Sequence, residues 1–207
     1  MTTELETQIL SVPEAAAARR SIRAYRDEPI PREDFERIFD AVRLAPSAFN
    51  VQPWRFVVVT DPELKAKLGE AANGQRQVTA APGVIVLYTD MRDVLENVEE
   101  IIHPGVPADR RAATAEGFRK SWASKTDAER EQWGAGQGYI ALGYFLLAAA
   151  SYGYATSAML GFDASKVKQA LGLPAHVAIP AMIAIGRGDE EGFTHDRHPL
   201  ERIVSYR

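Results

Sequence analysis

The sequence predicts an α+β fold in one domain spanning residues 1–207, on three observations. With 207 residues, 46% hydrophobic and 25% charged, the chain has the size and composition of a single globular domain. Short apolar runs typical of strands alternate with helical patterns along it. Residues 132–162 carry no charged side chain, so the helix predicted there is too apolar for the outer face of a sheet. We expect that helix in the core or at a subunit interface.

The composition argues against several classes of partner and site. The net charge is −4 with no long basic block, which argues against a nucleic-acid partner. The absence of cysteine excludes disulfides, thiolate catalysis and cysteine-bound metals, and it fits a cytoplasmic location. Residues 1–18 lack the positive start and apolar core of a secretory signal. Segment 132–162 is long enough for a membrane span, but its glycine, serine and tyrosine residues favour a buried helix followed by a strand.

The first half of the chain predicts three helices and two strands. The first helix follows the N-cap Ser11 and has Pro13 in its first turn. A second opens at Pro31, and its apolar positions keep helical spacing at Phe35, Ile38, Phe39, Val42 and Leu44. Strands are predicted over 54–60 and 84–88, with the third helix starting at Asp61 between them.

The second half predicts two helices and two strands after a less regular segment. Residues 90–125 are charged and broken by prolines, so either helices or a mobile cover is expected there. The long apolar helix covers 129–152, a strand follows over 154–160, and Asp163 caps a short helix. The last strand covers 177–185, where Pro180 indicates an edge strand or a bulge.

Two polar stretches are candidate binding elements. Residues 19–23, Arg-Arg-Ser-Ile-Arg, combine guanidinium forks and a hydroxyl, which suits an anion such as a phosphate. A solvated basic patch at a helix C-terminus is the alternative. Residues 45–56 combine the polar Ser47, Asn50 and Gln52 with flat apolar surface, which suits a flat heteroaromatic ligand. An ordinary helix-to-strand connector is the alternative.

Other motifs are weaker. The glycine-rich run 134–138 does not follow a strand, so a Rossmann site is not expected there. His195 and His198 with Asp196 lack a third convincing ligand, and His103 and His176 are interpreted as structural, so no metal site is expected.

Four stretches in this order resemble the nitroreductase family of FMN-dependent oxidoreductases. They are 19–23, 46–54, Leu-Gly-Phe-Asp at 160–163 and Arg-His-Pro-Leu at 197–200. The resemblance extends from about Pro13 to Ile203. It implies a central, mostly antiparallel sheet surrounded by helices, and an intertwined homodimer with FMN at the subunit interface.

The resemblance also implies a role for individual residues. Arg19, Ser21 and Arg23 would hold the phosphate and ribityl chain of FMN, Arg20 would contact the ring system, and Arg197 would contact the phosphate. Loop residues reach the flavin partly from the other subunit, and these are Pro46, Ser47, Phe49, Asn50 and Gln52. Backbone N–H groups of Leu160 and Gly161 would meet the N5 and O4 edge of the flavin, and Gln77 matches the pyrimidine-edge contact. Some relatives carry Lys where this chain has His195.

The implied activity is reduction of a small acceptor with NAD(P)H by a ping-pong cycle. No protein acid or base is nominated, because the hydride is carried at flavin N5. Nitroaromatics, quinones, enones and aldehydes are possible acceptors. A narrower biosynthetic reductase of the same family, or a flavin-binding protein that stores or senses without turnover, is the alternative.

Overall fold

Four strands form one antiparallel sheet. The structure is a computed structural model that describes residues 9–207; residues 1–8, which include part of the segment examined for a secretory signal, lie outside it. Each neighbouring pair in the order β1-β2-β4-β3 is antiparallel, as the family resemblance implies. The strands are β1 Trp54–Val59, β2 Gly83–Thr89, β3 Ala155–Met159 and β4 Ala178–Gly186.

Helices surround this sheet. Within residues 9–207 they are α1 Val12–Ala18, α2 Arg32–Val42, α3 Pro62–Ala71, α4 Arg76–Ala80, α5 Met91–Glu96, α6 Val98–Ile101, α7 Ala108–Trp122, α8 Asp127–Ser151, α9 Ala164–Leu171 and α10 Leu200–Ile203. The predicted helix starts are confirmed at Ser11, which forms a capping box with Glu14, and at Asp163, whose carboxylate accepts from two N–H groups of α9.

Both faces of the sheet are buried, because neighbouring residues of a strand point to opposite faces. In β2, Ile85 and Leu87 pack into the cluster formed with α2 and α8. Val84 and Val86 pack into a second cluster with residues of α3 and α9. This explains why the central strands read as continuous apolar runs.

Pro180 lies in the central strand β4, so the edge-strand alternative is wrong and the bulge alternative is confirmed. Leu87 pairs with Ala181, whereas Thr89 pairs with Ala178, and the register shifts between them. Two residues of β4 therefore oppose one residue of β2. The irregularity accommodates a residue that has no N–H for the ladder.

The long helix α8 has a buried face and an open face. Phe145 is fully buried against the sheet, but Ile140 and Tyr144 are 39% and 41% exposed. None of the helices among residues 9–207 has the length and apolarity required to cross a membrane. Leu44, which the helical spacing placed in the core, is 68% exposed. That prediction is wrong because α2 ends at Val42 and the chain turns before Leu44.

Residues 90–125 are helical, which confirms one of the two alternatives for this segment. The helical structure is interrupted between α6 and α7, around residues 102–107. Most of α7 is exposed. Its Phe118 and Trp122 pack against a small cluster that contains Val51, a buried residue of the 45–56 loop. Helix α7 therefore contacts the 45–56 loop through aromatic side chains.

Candidate functional site

The predicted anion site is a pocket lined by arginines. Its volume is ≈ 220 Å³, and its lining residues come from two distant parts of the sequence: Arg19, Arg20, Ser21, Arg23, Phe193, Thr194, His195 and Arg197. The structure thus brings Arg197 to the 19–23 segment, as the family resemblance implies. Segment 19–23 follows α1 and is tied to the sheet, because Ser21 bridges Thr156 in β3 and the N–H of Ile22 donates to the Thr156 carbonyl at 3.1 Å.

In the part of the chain that the structure describes, the guanidinium groups of this pocket have no acidic partner. Among residues 9–207, none of Arg19, Arg20, Arg23 and Arg197 forms an ion pair with a carboxylate. Burial, and then the charges of Arg197 and Arg20, lower the pKa of Arg19. The nearby Glu190 carboxylate accepts the backbone N–H groups of Arg23 and Ala24 and, within the described residues, makes no ion pair with a guanidinium group. Crowding several cations is costly, so the arrangement suits a bound anion.

A second group of polar side chains meets at Gly161, just beyond the end of β3. The carbonyl oxygen of Gly161 accepts from Gln75 Nε2 at 2.8 Å and from Asn73 Nδ2 at 3.2 Å. Gln77, the residue matched to the pyrimidine edge, is 7% exposed. Its Nε2 lies 2.9 Å from Gln75 Oε1 and 3.2 Å from the sulfur of Met159.

The pocket and Gly161 both lie along β3, which is an edge strand of the sheet. Ser21 bridges Thr156 near one end of β3, and Gly161 follows the other end. At about 3.3 Å per residue, these two points are about 17 Å apart. Leu160 is 67% exposed beside Gly161. This edge can hold an elongated ligand with an anionic tail and a flat head.

The 47–52 loop has a strained backbone. Phe49, Asn50 and Gln52 have φ of 55°, 58° and 41°, in the left-handed region that non-glycine residues rarely adopt. Phe49 is 73% exposed, and its ring lies edge-on to Phe118 at 6.1 Å. Pro46 is exposed too. Such strain persists where the surrounding contacts over-determine the conformation, and it concentrates at functional sites.

Several contacts fix this conformation. The Ser47 hydroxyl accepts the N–H of Gln52 at 3.0 Å, and Gln52 Nε2 donates to the Asn50 carbonyl at 3.1 Å. Gln137 of α8 accepts the N–H of Ala48 at 2.9 Å, and Arg55 donates to the Gln52 carbonyl at 3.0 Å. The loop is therefore held from α8 and β1.

The loop is not brought to the rest of the candidate site within one chain. It precedes β1, whereas Gly161 follows β3, and these strands are opposite edges of the sheet. Two strands lie between them, so three spacings of about 4.8 Å separate the edges by about 14 Å. No hydrogen bond in the described part of the chain joins residues 46–52 to 19–23, 159–161 or 193–197.

Asn73, Gln75 and Gln137 were not predicted as site residues from the sequence. Asn73 and Gln75 meet Gly161, and Gln137 meets Ala48, across sequence separations of 88, 86 and 89 residues. No local pattern reports contacts at that distance. The one available signal was the polar, glycine-broken run 73–77 between two apolar segments.

A separate polar cluster lies at the end of β2. The buried Glu131 accepts the N–H of Met91 at 2.6 Å and the Thr89 hydroxyl at 2.9 Å. His176 Nε2 lies 2.9 Å from Asp90 Oδ1, which also accepts the N–H of Asp93. Ligand atoms of Asp90, Glu131 and His176 all lie within 4.8 Å of one another. Because these hydrogen bonds already engage both carboxylates, we interpret the cluster as structural and assign it no metal.

Comparison with known proteins gives the same family over most of the chain. Residues 16–187 match the model of the Nitroreductase family. A protein of Thermus thermophilus named NADH dehydrogenase is 47% identical over 204 residues, covering 99% of this chain and 100% of its own length. YdgI of Bacillus subtilis, named for NAD(P)H nitroreductase activity, is 32% identical over 206 residues, covering 94% of this chain and 96% of its own.

A solved structure agrees. A nitroreductase-type protein from Exiguobacterium sibiricum, crystallised in complex with FMN, superposes with a TM-score of 0.86 at 25% identity, covering 96% of this chain and 98% of that one. Residues 16–187, which match the family model, contain segment 19–23, the strained loop and Gly161. The chain therefore belongs to the nitroreductase family.

Proposed function

We propose that this protein is a homodimeric, FMN-dependent oxidoreductase that uses NAD(P)H to reduce nitroaromatic, quinone or related small acceptors. Oxidoreductase activity follows from the family. We propose in addition that the cofactor is FMN and that the acceptors are small aromatic or quinone compounds. When bound, FMN would supply hydride transfer from NAD(P)H and then to the acceptor, which is a ping-pong cycle. The chain would form one FMN-binding domain.

The observation that carries the proposal is the arginine pocket, whose guanidinium groups form no ion pair with a carboxylate among residues 9–207. Arg19, Arg23 and Arg197 can each offer paired N–H donors to phosphate oxygens, and Ser21 adds a hydroxyl. Each hydrogen bond to a charged group contributes about 1.5–3 kcal/mol. The donor set therefore fits the phosphate of FMN.

The ring of FMN would lie beside Gly161. A Cβ atom at Gly161 would have its nearest contact at 3.6 Å, to Gln75 Nε2, which is an ordinary van der Waals distance. The chain's own packing therefore does not require glycine here. A missing side chain leaves room for a flat ligand to approach the backbone, as expected if the N–H groups of Leu160 and Gly161 orient the ring.

A second copy of the chain would complete the site. One chain holds its strained loop and Gly161 on opposite edges of the sheet. The open face of α8 offers the surface for a partner: Ile140 and Tyr144 are exposed, and a Cβ at Gly136 or Gly143 would meet nothing within 4 Å. An apolar stripe with close-approach glycines on the longest helix suits a homodimer interface.

The acceptor would lie against the aromatic side chains at the loop. Phe49 is exposed and held in a left-handed backbone conformation, next to Phe118 of α7. Flat electron-poor rings can stack on such a surface. This supports nitroaromatic and quinone acceptors, and we nominate no protein side chain as acid or base.

Anaerobic titration of FMN-loaded protein tests the proposal. We expect NADH or NADPH to bleach the visible flavin absorption and a nitroaromatic or quinone to restore it. Protein that binds FMN but is not bleached by either nucleotide would instead be a flavin-binding protein without turnover. Protein that does not retain FMN would contradict the proposal altogether.

A further inference from the structure

The Gly161 carbonyl is held by two side-chain amides from one short segment. Gln75 Nε2 donates to it at 2.8 Å and Asn73 Nδ2 at 3.2 Å. The two donors sit on either side of Gly74, and Asn73 and Gly74 have φ of 56° and 72°. Two consecutive left-handed residues after α3 reverse the chain sharply, and this turn directs both amides to one oxygen.

The Gln75 amide is itself held. Gln77, which is almost fully buried, donates from Nε2 to Gln75 Oε1 at 2.9 Å. With its oxygen occupied in this way, the Gln75 amide can present only its NH₂ group to Gly161. The three residues form a hydrogen-bonded chain that ends on the Gly161 carbonyl.

These contacts engage the carbonyl of Gly161 and not its N–H. The Phe162 N–H donates back to the Leu160 carbonyl at 3.1 Å, so both peptide groups flanking Gly161 have fixed planes. Among residues 9–207 the Gly161 N–H itself has no acceptor. A donor that is oriented by its neighbours and left without a partner is suited to a ligand.

The turn at residues 160–163 is attached to the rest of the fold without the side-chain amides of Asn73 and Gln75. The N–H of Asp163 donates to the Ala71 carbonyl at 2.8 Å, which joins the turn to α3 directly. The Asp163 carboxylate caps α9. The hydrogen bond from Asp163 to Ala71 therefore attaches the turn, and the amides of Asn73 and Gln75 orient the peptide group that contains the Gly161 carbonyl.

We propose that Asn73 and Gln75 are positioning residues, which aim the Gly161 N–H at the flavin ring through the Gly161 carbonyl. This inference rests on the proposed FMN site. They act on the ring through the backbone, so losing them should change the environment and reactivity of the flavin more than its retention.

Substitutions that spare the backbone separate these effects. Asn73→Gly keeps the left-handed conformation and removes the amide, and Gln75→Met keeps the chain length and removes the donor. Gln75→Glu places a carboxylate against the carbonyl. Gln169→Met, at an exposed position on α9, is the matched control. FMN affinity, the visible absorption spectrum, thermal stability and anaerobic bleaching by the better nicotinamide cofactor are measured for each.

For the Asn73→Gly/Gln75→Met double variant we expect FMN affinity close to that of the wild type, because the phosphate pocket is intact. We expect a shifted flavin absorption band and a bleaching rate constant lower by roughly 10- to 100-fold, as misplacement of a reacting group by about 1 Å produces. Gln75→Glu should be slower than Gln75→Met, and Gln169→Met should match the wild type.

A double variant with the wild-type spectrum and rate would overturn the positioning role while leaving the proposed function intact. An equal slowing in Gln169→Met would also overturn it, since the effect would not be specific to the two amides that hold the Gly161 carbonyl. Wild-type protein that fails to take up FMN would remove both the positioning role and the proposed function.

Discussion

The guanidinium Nη1 of Arg20 lies 3.0 Å from Nε2 of His195, and the carbonyl oxygen of Arg19 lies 2.7 Å from the same ring nitrogen. A neutral imidazole nitrogen can satisfy only one of them, by accepting from Arg20 or by donating to Arg19. A protonated ring donates to Arg19 and places a second positive charge beside Arg20. In both states a cation faces the pocket, where an anion would neutralise it.

Replacement of His195 tests this relationship. His195→Lys provides a permanent positive charge, whereas His195→Gln keeps polarity without charge. We expect His195→Lys to bind FMN at least as tightly as the wild type and His195→Gln to bind it about fivefold more weakly than His195→Lys, the effect of a partly screened charge worth about 1 kcal/mol. Fluorescence titration of the apoprotein measures the affinities.

Riboflavin, which lacks the phosphate, is the matched ligand for that experiment. Its affinity should be the same in both His195 variants. Equal sensitivity of riboflavin and FMN would place His195 away from the phosphate.

Arg19 should contribute to FMN retention directly. Arg19→Ala removes a paired donor from a partly buried position, at a cost of about 1.5–3 kcal/mol, or roughly 10- to 150-fold in Kd. Arg26→Ala is the control, because Arg26 is exposed and its guanidinium lies 3.8 Å from Glu28. Flavin occupancy after gel filtration compares the two, and equal occupancy would show that Arg19 does not hold the phosphate.

A charge on the open face of α8 should separate the subunits. Gly143→Glu introduces a carboxylate where a Cβ meets nothing within 4 Å of the same chain, so the isolated fold should tolerate it. Buried between two copies, the unpaired charge would be strongly unfavourable. We expect a monomer by analytical ultracentrifugation, with reduced FMN retention.

Gly117→Glu on α7 is the matched control, since a Cβ there also meets nothing within 4 Å. It should stay dimeric. A dimeric Gly143→Glu variant with full flavin content would contradict the interface.

Glu131 should make stability depend on pH. Burial raises its pKa above the ordinary glutamate value of 4.5, so the folded state holds this proton more tightly than the unfolded chain does. The free energy of unfolding should therefore fall as pH rises from about 4.5 through the folded pKa and level off above it. Urea denaturation at several pH values measures the contribution.

Glu131→Gln should remove this pH dependence and keep the fold. Its amide oxygen can accept from Met91 while its nitrogen donates to the Thr89 hydroxyl oxygen. The difference in stability between Glu131→Gln and wild type should therefore move in favour of the variant as pH rises. Glu131→Ala should destabilise by about 1–3 kcal/mol for each buried donor left unpaired. A constant difference between Gln and Glu across the range would contradict the assigned pKa direction.

Local chemistry allowed much of the fold to be predicted from the sequence. Ser11 and Asp163 were identifiable as helix caps because capping depends on residues a few positions apart. Leu44 was misplaced because periodicity does not report where a helix ends. Pro180 was compatible with an edge or a bulge, and only the strand order distinguishes them.

The candidate site was predictable where its chemistry is concentrated in one stretch. Arg19, Arg20 and Arg23 adjoin in sequence, so an anion site could be inferred. Asn73 and Gln75 act on Gly161 from a distant segment, and no spacing rule brings them together. The loop around Phe49 has an unusual backbone because of contacts with Gln137 and Arg55, which sequence patterns do not show.

The most direct test is a crystal structure of the protein grown with FMN. The phosphate should lie within hydrogen-bonding distance of Arg19, Ser21 and Arg197, with the ring between Gly161 of one subunit and the Phe49 loop of its partner. An FMN bound elsewhere, or a dimer that leaves Gly161 and the Phe49 loop far apart, would contradict the assignment.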